Sequence, residues 1–598
     1  MLVKNHIIAI ILISICAVLA VTFGCVFGLN NASPKTDLNT SVNAATYTEG
    51  DFIYAYSTSS TTCTVKASST SISGALTIPS SVTIDGVTYT VTGFTYSTQI
   101  LNLYVGGAFY NCTGITSMIL PNTITSVGKY TFYGCTGLTS INIPSSVTSI
   151  DTYAFYNCTA LTSITIPDSV TTIGTYVFSG CSALKTITIG AGVTSIGAYA
   201  FKCSKLTTLN YNITALADLT STNNVFNYTG RSGSGFTVNI GANVTQIPIY
   251  LFYPNNEDNT DYPYIRTLNF ASGSVCTKIG NHAFAYCKYL NTVNLPESLT
   301  TLSLYAFYEC TYMNTINYNA KSVSDLTSTS NVFYNSGISG NGITVTIGEK
   351  VTKIPAYLFE GSGVKSVSFA SGSVCYSIRT STFEGCSDMT SIHIPDSLTS
   401  IGTNAFSGCT ALTSLYVDSL IPFTQISFST SNNHPFYVSG SGNLYLNNVS
   451  AKDITLSAGY AYIRDYAFYG CKNITSVIIP DSYTSIGTYA FYNCIKLTKV
   501  TIGSGVTSIA TYAFNGCSAL TSVFFMQLAN FSVASAAFTG HSSLVAYYFV
   551  SQDILDTTKA TYSGCFTNTN FYLCNVVTFE SNGGTECASK AVVSGVAY

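Results

Sequence analysis

The residues in this chain best equipped for chemistry are its 20 cysteines. Thiolates act as nucleophiles and metal ligands, and paired thiols form disulfides. Eleven of the cysteines follow a phenylalanine by three residues: Cys112, Cys135, Cys158, Cys181, Cys287, Cys310, Cys386, Cys409, Cys471, Cys494 and Cys517; Cys203 follows Phe201 by two. The phenylalanines fall on a 23-residue beat, as in Phe109, Phe132, Phe155, Phe178 and Phe201. A fixed period of this size means stacked coils, with one such cysteine in each. Coils of that kind lie ~4.8 Å apart. Neighbouring thiols are then close, but their Cβ vectors run parallel instead of converging, which is poor disulfide geometry. No Cys-x-x-Cys pair accompanies the ladder, as a zinc site would need. The expectation is a column of buried free thiols acting as small hydrophobes, with some bridges as the alternative. Cys565, Cys574 and Cys587 lie outside the ladder, and their pairing is open.

The five histidines, His6, His282, His393, His434 and His541, form no His-Glu-x-x-His pattern. His282 replaces the Tyr or Thr that usually precedes Ala-Phe and reads as a coil-surface residue; His393 reads as an exposed strand residue. Glycoside hydrolysis requires two carboxyl groups side by side. Asp168, Asp396 and Asp481 share a position after proline, but Asp168 has Ser145 and Ala191 as neighbours one coil away. These aspartates read as turn residues capping backbone amides. Glu257, Asp258 and Asp261 cluster on an extra loop without the alternating spacing of a Ca²⁺ loop. A solvated loop is expected there, with weak Ca²⁺ binding as the alternative. The sequence thus predicts no catalytic residue, no cofactor and no metal centre.

Charge narrows the partners. Charged residues are 8% of the chain and the net charge is −3, against about 25% charged residues in ordinary domains. No basic patch is present to neutralise phosphates, which argues against nucleic acid. Polar character comes from Ser, Thr, Asn and 44 tyrosines, a composition resembling binding loops.

One coil shows what must position these residues. In Leu161–Cys181, Ile164 and Ile166 point inward and Ser163 and Thr165 outward, the alternation of a strand. Pro167 ends the strand because it cannot donate to a ladder. Val170 and Ile173 return inward, Gly174 permits the next bend, Val177 and Phe178 fill the core, and Cys181 goes inward. The predicted fold is a mainly β solenoid of ~23-residue coils with parallel strands. LNYNITALADLTSTNNVF (209–226) returns as INYNAKSVSDLTSTSNVF (316–333), so variant coils sit within a larger duplicated block.

The N-terminus carries an apolar run, Ile7 to Leu29, preceded by Lys4. It is long enough to span a bilayer, and Lys4 favours an N-terminus held inside. Residues 1–30 are expected as a signal-anchor, or as a cleaved signal with Val42-Asn43-Ala44 at the cut.

The coil, a strand ending in Ile-Pro, then Ser-Val-Thr-x-Ile-Gly, Ala-Phe-x-Gly-Cys and x-x-Leu, resembles the leucine-rich repeats of BspA-like surface proteins. The match is close at Ile143–Leu161, Ile394–Leu412 and Ile479–Leu497. The resemblance implies a leucine-rich repeat superhelix at the cell surface or outside the cell, meeting host matrix proteins or other cells. VTFESNGGTECASKAVVSGVAY (577–598) resembles the opening of a Listeria–Bacteroides repeat. The expected organisation is a signal segment at 1–30, a linker at 31–51, an N-terminal cap at 52–105, the solenoid at 106–545, a C-terminal cap at 546–575 and a partial β module at 576–598.

The expected function is non-enzymatic adhesion to extracellular protein or glycan ligands, with membrane attachment through 7–29 if that segment is uncleaved. The candidate binding face comprises two outward columns, Ser140/Ser163/Thr186 and Asn142/Thr165/Thr188. Tyr153, Tyr156, Tyr176 and Tyr199 would either add flat aromatic surface on the opposite edge or pack between coils. A passive spacer is the alternative function, and a polysaccharide hydrolase the remote one. Asn212 and Asn473 begin sequons that matter only in a secretory eukaryotic host, and Asn111 and Asn157 begin sequons whose central cysteine belongs to the buried ladder.

Overall fold

Apolar side chains recurring at fixed positions of a short period can be buried only by coils above and below. The computed structural model, which describes residues 44–95, 99–100, 103–104, 106–254, 262–428, 430–526, 532–534, 536–539, 544–548, 570–577 and 590–593, stacks them in this way. The expected signal segment, the carboxylate loop of Glu257, Asp258 and Asp261, and the pairing among Cys565, Cys574 and Cys587 lie outside the described residues.

Strand Ser163–Ile166 alternates exposed and buried residues. It pairs in parallel with Thr186–Ile189, matching Ser163 to Thr186 and Thr165 to Thr188. Thirteen strands continue this sheet, from Ser163–Ile166 to the antiparallel closing pair Asn443–Leu446 and Val449–Ser450. A second row of two-residue strands, such as Ser149–Ile150, Thr172–Ile173 and Ser195–Ile196, runs along another side of the coils. The predicted β solenoid is the observed fold.

The core lies between these rows. Phe132, Phe155 and Phe178 are fully buried and stacked with ring centroids 5.3 Å apart. Each buried ring contributes ~1.5–3 kcal/mol, and the stacking ~0.5–1.5 kcal/mol more. The fifteen cysteines from Cys63 to Cys517, the twelve of the ladder among them, are free and buried, as expected of a thiol ladder.

At the turns, side-chain donors from the next coil reach backbone carbonyls, several of which already accept a backbone amide, as Phe109 does from Cys112 (3.1 Å). Cys135 Sγ donates to the Phe109 carbonyl (3.1 Å), Cys158 to Phe132 (3.2 Å) and Cys181 to Phe155 (3.1 Å). Thr171 Oγ1 does the same for Thr148 (3.1 Å) and Ser169 Oγ for Val147 (2.7 Å). The repeat therefore conserves hydrophobic volume and hydrogen-bond donors at once. Asp168 Oδ1 accepts from the Ala191 amide (2.8 Å), the turn-capping role expected of it, reached one coil away.

Gly174 departs from its expected role. Its φ is ordinary, but a Cβ would strike the Asp151–Thr152 backbone of the coil beneath. Glycine is required there by close approach, whereas Gly180 combines a φ of +82° with contact to the Asn157 side chain.

Residues 45–94 form a five-stranded sheet in the order Ala45–Glu49, Phe52–Tyr56, Thr62–Ala67, Val87–Phe94 and Ser81–Ile84. Its first strand lies within the stretch expected as linker, 31–51. Phe94 packs edge-on to Phe109 (6.2 Å) and Phe132 (5.8 Å), covering the first rungs of the phenylalanine stack. At the other end, Val545–Tyr548 pairs in parallel with Asn570–Val577, which pairs antiparallel with Lys590–Val593. The strands at 570–577 and 590–593 thus extend the sheet that begins at Asp453–Thr455.

Candidate binding face

Alternation along a strand puts two residues of each coil's strand, separated by one, on the outer face. Registers align the first of each two into a column: Ser163, Thr186, Thr208, Thr237, Thr267, Thr292, Thr315, Thr344, Ser366, Ser391 and Ser414. These eleven are all Ser or Thr and none is buried; Asn443 follows Ser414 in register. Four of the expected face residues, Ser163, Thr165, Thr186 and Thr188, sit side by side at the start of this sheet.

The other two lie elsewhere. Ser140 and Asn142 belong to Ser140–Asn142, which pairs with Gly114–Ile119 in a separate three-stranded sheet. Asn142 is already engaged: its Oδ1 accepts from the Leu120 amide (2.9 Å), and its Nδ2 donates to the Leu120 carbonyl (3.3 Å). Ser140–Asn142 and Ser163–Ile166 lie on successive coils, with the Thr162 amide donating to the Thr139 carbonyl (3.3 Å), but they belong to different sheets.

The second outward column carries a feature the sequence reading missed. Asn210 Nδ2 donates to Thr188 Oγ1 (3.1 Å), Asn239 Nδ2 to Asn210 Oδ1 (3.1 Å), Asn269 Nδ2 to Asn239 Oδ1 (3.2 Å) and Asn294 Nδ2 to Asn269 Oδ1 (2.7 Å). Asn317 Nδ2 continues to Asn294 Oδ1. An amide has two N–H donors and an oxygen with two lone pairs. Each internal rung spends one N–H and one lone pair on its neighbours, leaving one of each for a ligand. The available signal was the recurring Asn two residues after the outward Thr of these strands, as in TLNY, RTLNF and TINY. Farther along, His393, Tyr416 and Tyr445 occupy this position. His393 is half-buried, with Nε2 3.1 Å from Asp418 Oδ1.

The tyrosines on the opposite edge pack against one another. Tyr130, Tyr153, Tyr176 and Tyr199 stack at 5.1–5.3 Å, and Tyr110, Tyr133 and Tyr156 form a second stack at 4.9 Å. Between rungs the ring faces cover each other, so the columns present edges and hydroxyls outward. Tyr130, Tyr153, Tyr176 and Tyr199 also hold φ of 53–58°, a left-handed conformation that costs ~1–2 kcal/mol in a residue with a Cβ. Burial, then the neighbouring phenols, pushes the Tyr153 pKa up. His282 is half-buried rather than the open coil-surface residue expected: it stacks between Tyr250 (5.0 Å) and Tyr305 (4.9 Å), and burial lowers its pKa.

Among the described residues, no group of three or more His, Cys, Asp or Glu side chains is arranged to hold a metal ion. Glu360 and Glu384 follow Phe359 and Phe383 on adjacent coils, and burial, then the Glu384 charge, raises the Glu360 pKa. No helix among the described residues is long and apolar enough to cross a membrane.

Comparison with known proteins follows this geometry. The model of the BspA type leucine rich repeat region matches residues 106–230, 224–339, 261–374, 327–441 and 441–572. Among solved structures, the chain is similar to a leucine-rich repeat protein from Bacteroides ovatus, at 21% identity over 88% of this chain and 99% of that one, with a TM-score of 0.27. It is also similar to a leucine rich cell surface protein from Faecalibacterium prausnitzii, at 20% identity over 88% and 98% of the two chains, with a TM-score of 0.24. The pneumococcal vaccine antigen PcpA aligns at 16% identity over 88% and 98%, with a TM-score of 0.22. No curated protein matches the chain.

Proposed function

The chain belongs to the BspA-type leucine-rich repeat family, and from that membership we propose that it is a non-enzymatic cell-surface protein that adheres to extracellular protein or glycan ligands through the outer face of its strands. The observation that carries this reading is the column of eleven Ser and Thr residues beside the asparagine ladder. Many weak donors and acceptors at regular spacing suit an extended ligand lying along the sheet. Hydroxyls and amides bear no net charge, so binding changes little with salt.

An array of matrix proteins and glycans, probed with the full-length chain at low and moderate salt, tests the proposal. Retained binding at moderate salt supports it, and a steep loss contradicts it. Removing coils 383–517 discriminates adhesion from a passive spacer: adhesion falls while surface display persists if the coils bind. Turnover of a polysaccharide that disappears with Glu360→Gln would instead favour a hydrolase.

A further inference from the structure

Strand Ile265–Phe270 runs beside Thr292–Leu295, but their pairing stops after Thr267–Thr292 and Leu268–Val293. Beyond that point only the Asn294 to Asn269 side-chain bond joins the strands, and the following turn bonds to the preceding coil, Ala271 N–H to the Ile240 carbonyl (2.9 Å) and Val275 N–H to the Ala242 carbonyl (3.0 Å). The separation leaves an open cleft of about 830 Å³, bordered by Phe270, Asn294, Glu297, Asn319, Lys321 and Ser322. That volume lies within the ~300–1,000 Å³ of small-ligand sites.

We propose that this cleft is a subsite for a short neutral oligosaccharide, resting on the reading that the outer face of this sheet meets ligands. Asn294 belongs to the asparagine ladder, so the cleft opens directly from the candidate face. Its walls supply the groups that recognise a sugar ring. Asn294 and Asn319 offer amide donors and acceptors to hydroxyls, and the Asn319 amide is oriented by its bond to the Leu295 carbonyl (3.1 Å). Phe270 and Pro296 offer apolar surface to the C–H face of the ring.

The ion pairs select for neutrality. Glu297 is held by Lys321 Nζ (2.6 Å) and by Lys350 Nζ (3.1 Å). A cationic ligand must take Glu297 from a lysine, and an acidic one must set its carboxylate beside that of Glu297. A polyol leaves both intact and uses the remaining carboxylate lone pairs. The same early end of pairing recurs at Val364–Phe369 and Ser391–Ile394, but the chemistry differs. His393, Asp396 and Asp418 replace Asn294, Glu297 and Asn319, and His393 is engaged with Asp418. One neutral site per chain is therefore expected.

Calorimetric titration of the full-length chain with cellotriose, maltotriose, triacetylchitotriose and trigalacturonate tests the assignment. At least one neutral trimer binds with a stoichiometry of one, and trigalacturonate does not. Ser272→Trp and Ser322→Trp, two exposed positions on opposite rims, each weaken that binding at least tenfold with an unchanged circular-dichroism spectrum. The assignment is overturned if no neutral trimer binds, if the charged trimer binds better, or if binding is indifferent to both rim variants. Thr186→Glu, on the strand face outside the cleft, separates the two readings. Trimer binding that survives it while array binding is lost supports both; array binding by a chain that binds no trimer removes the cleft alone.

Discussion

The side chain of Asn473 pairs with the backbone of Leu444 as a neighbouring strand would: Oδ1 accepts from the Leu444 amide at 2.8 Å and Nδ2 donates to the Leu444 carbonyl at 2.7 Å. Here the 13-stranded sheet has ended and the sheet starting at Asp453–Thr455 begins. The same amide reaches Ser450 Oγ (3.0 Å) and the Ala451 carbonyl (3.3 Å). Asn142 makes the equivalent pair with Leu120, here at the ends of two strands already paired with each other, Ser140–Asn142 and Gly114–Ile119. Asparagine can do this because its amide reproduces the donor and acceptor of a peptide group.

Asn473→Ala leaves the buried Leu444 amide unpaired, at about 1–3 kcal/mol, while the Leu444 carbonyl keeps the Ala451 amide (3.0 Å). The expected outcome is separate unfolding of the regions before and after the seam, read as two transitions in urea and as faster amide exchange around Leu444. A single transition with an unchanged midpoint contradicts the role. Since Asn473 is buried, its sequon stays unmodified in the folded chain, which mass spectrometry of secreted eukaryotic material checks.

Tyr211 and Tyr318 occupy equivalent positions of the duplicated block, are fully buried, and have hydroxyls without a hydrogen-bond partner. Removing an unsatisfied buried hydroxyl while keeping the ring should stabilise the chain. Tyr211→Phe and Tyr318→Phe are each expected to raise stability by about 1 kcal/mol. Phe178→Ala, by contrast, should cost ~3–5 kcal/mol.

Burial pushes the thiols of Cys63 and Cys112 up to about 11 and that of Cys386 to about 12. Because the thiolate is the reactive form, a thiol reagent at pH 8 should leave the buried ladder of the native chain unlabelled and label it fully in denaturant. Rapid native labelling of Cys158 or Cys181 would contradict a closed interior.

His434 is fully buried, its Nδ1 accepts from the Phe436 amide (3.2 Å), and burial drives its pKa down to about 3. An unfolded histidine takes up a proton near pH 6.5, so between pH 6.5 and 3 the unfolded state binds a proton that the folded state refuses. Stability is full above that window and falls as pH drops, by ~1.4 kcal/mol per unit from this group. The slope, measured from urea midpoints between pH 7 and 4.5, should be shallower in His434→Asn.

The inward positions were legible because a 23-residue beat fixes which side chains meet: Ile164, Phe178 and Cys181 all lie where the period puts them. The asparagine ladder was not legible. Its partners lie 22, 29, 30, 25 and 23 residues apart, so variable coil length hides a column that register restores. His282 was misjudged because its surroundings are the stacked rings of Tyr250 and Tyr305, contributed by the preceding and following coils. Gly174 was assigned to conformation when the coil beneath is the constraint. The seam at Asn473 depends on a side chain imitating backbone, which no periodic pattern announces.

The outer strand face is tested most directly by placing charge on it. Thr186→Glu with Thr208→Glu changes two adjacent half-buried hydroxyls of the Ser/Thr column without touching the phenylalanine or thiol ladders. Binding of the full-length chain to its array ligands should fall at least tenfold with unchanged circular dichroism and surface display. Unaltered binding by that folded double variant would contradict the account.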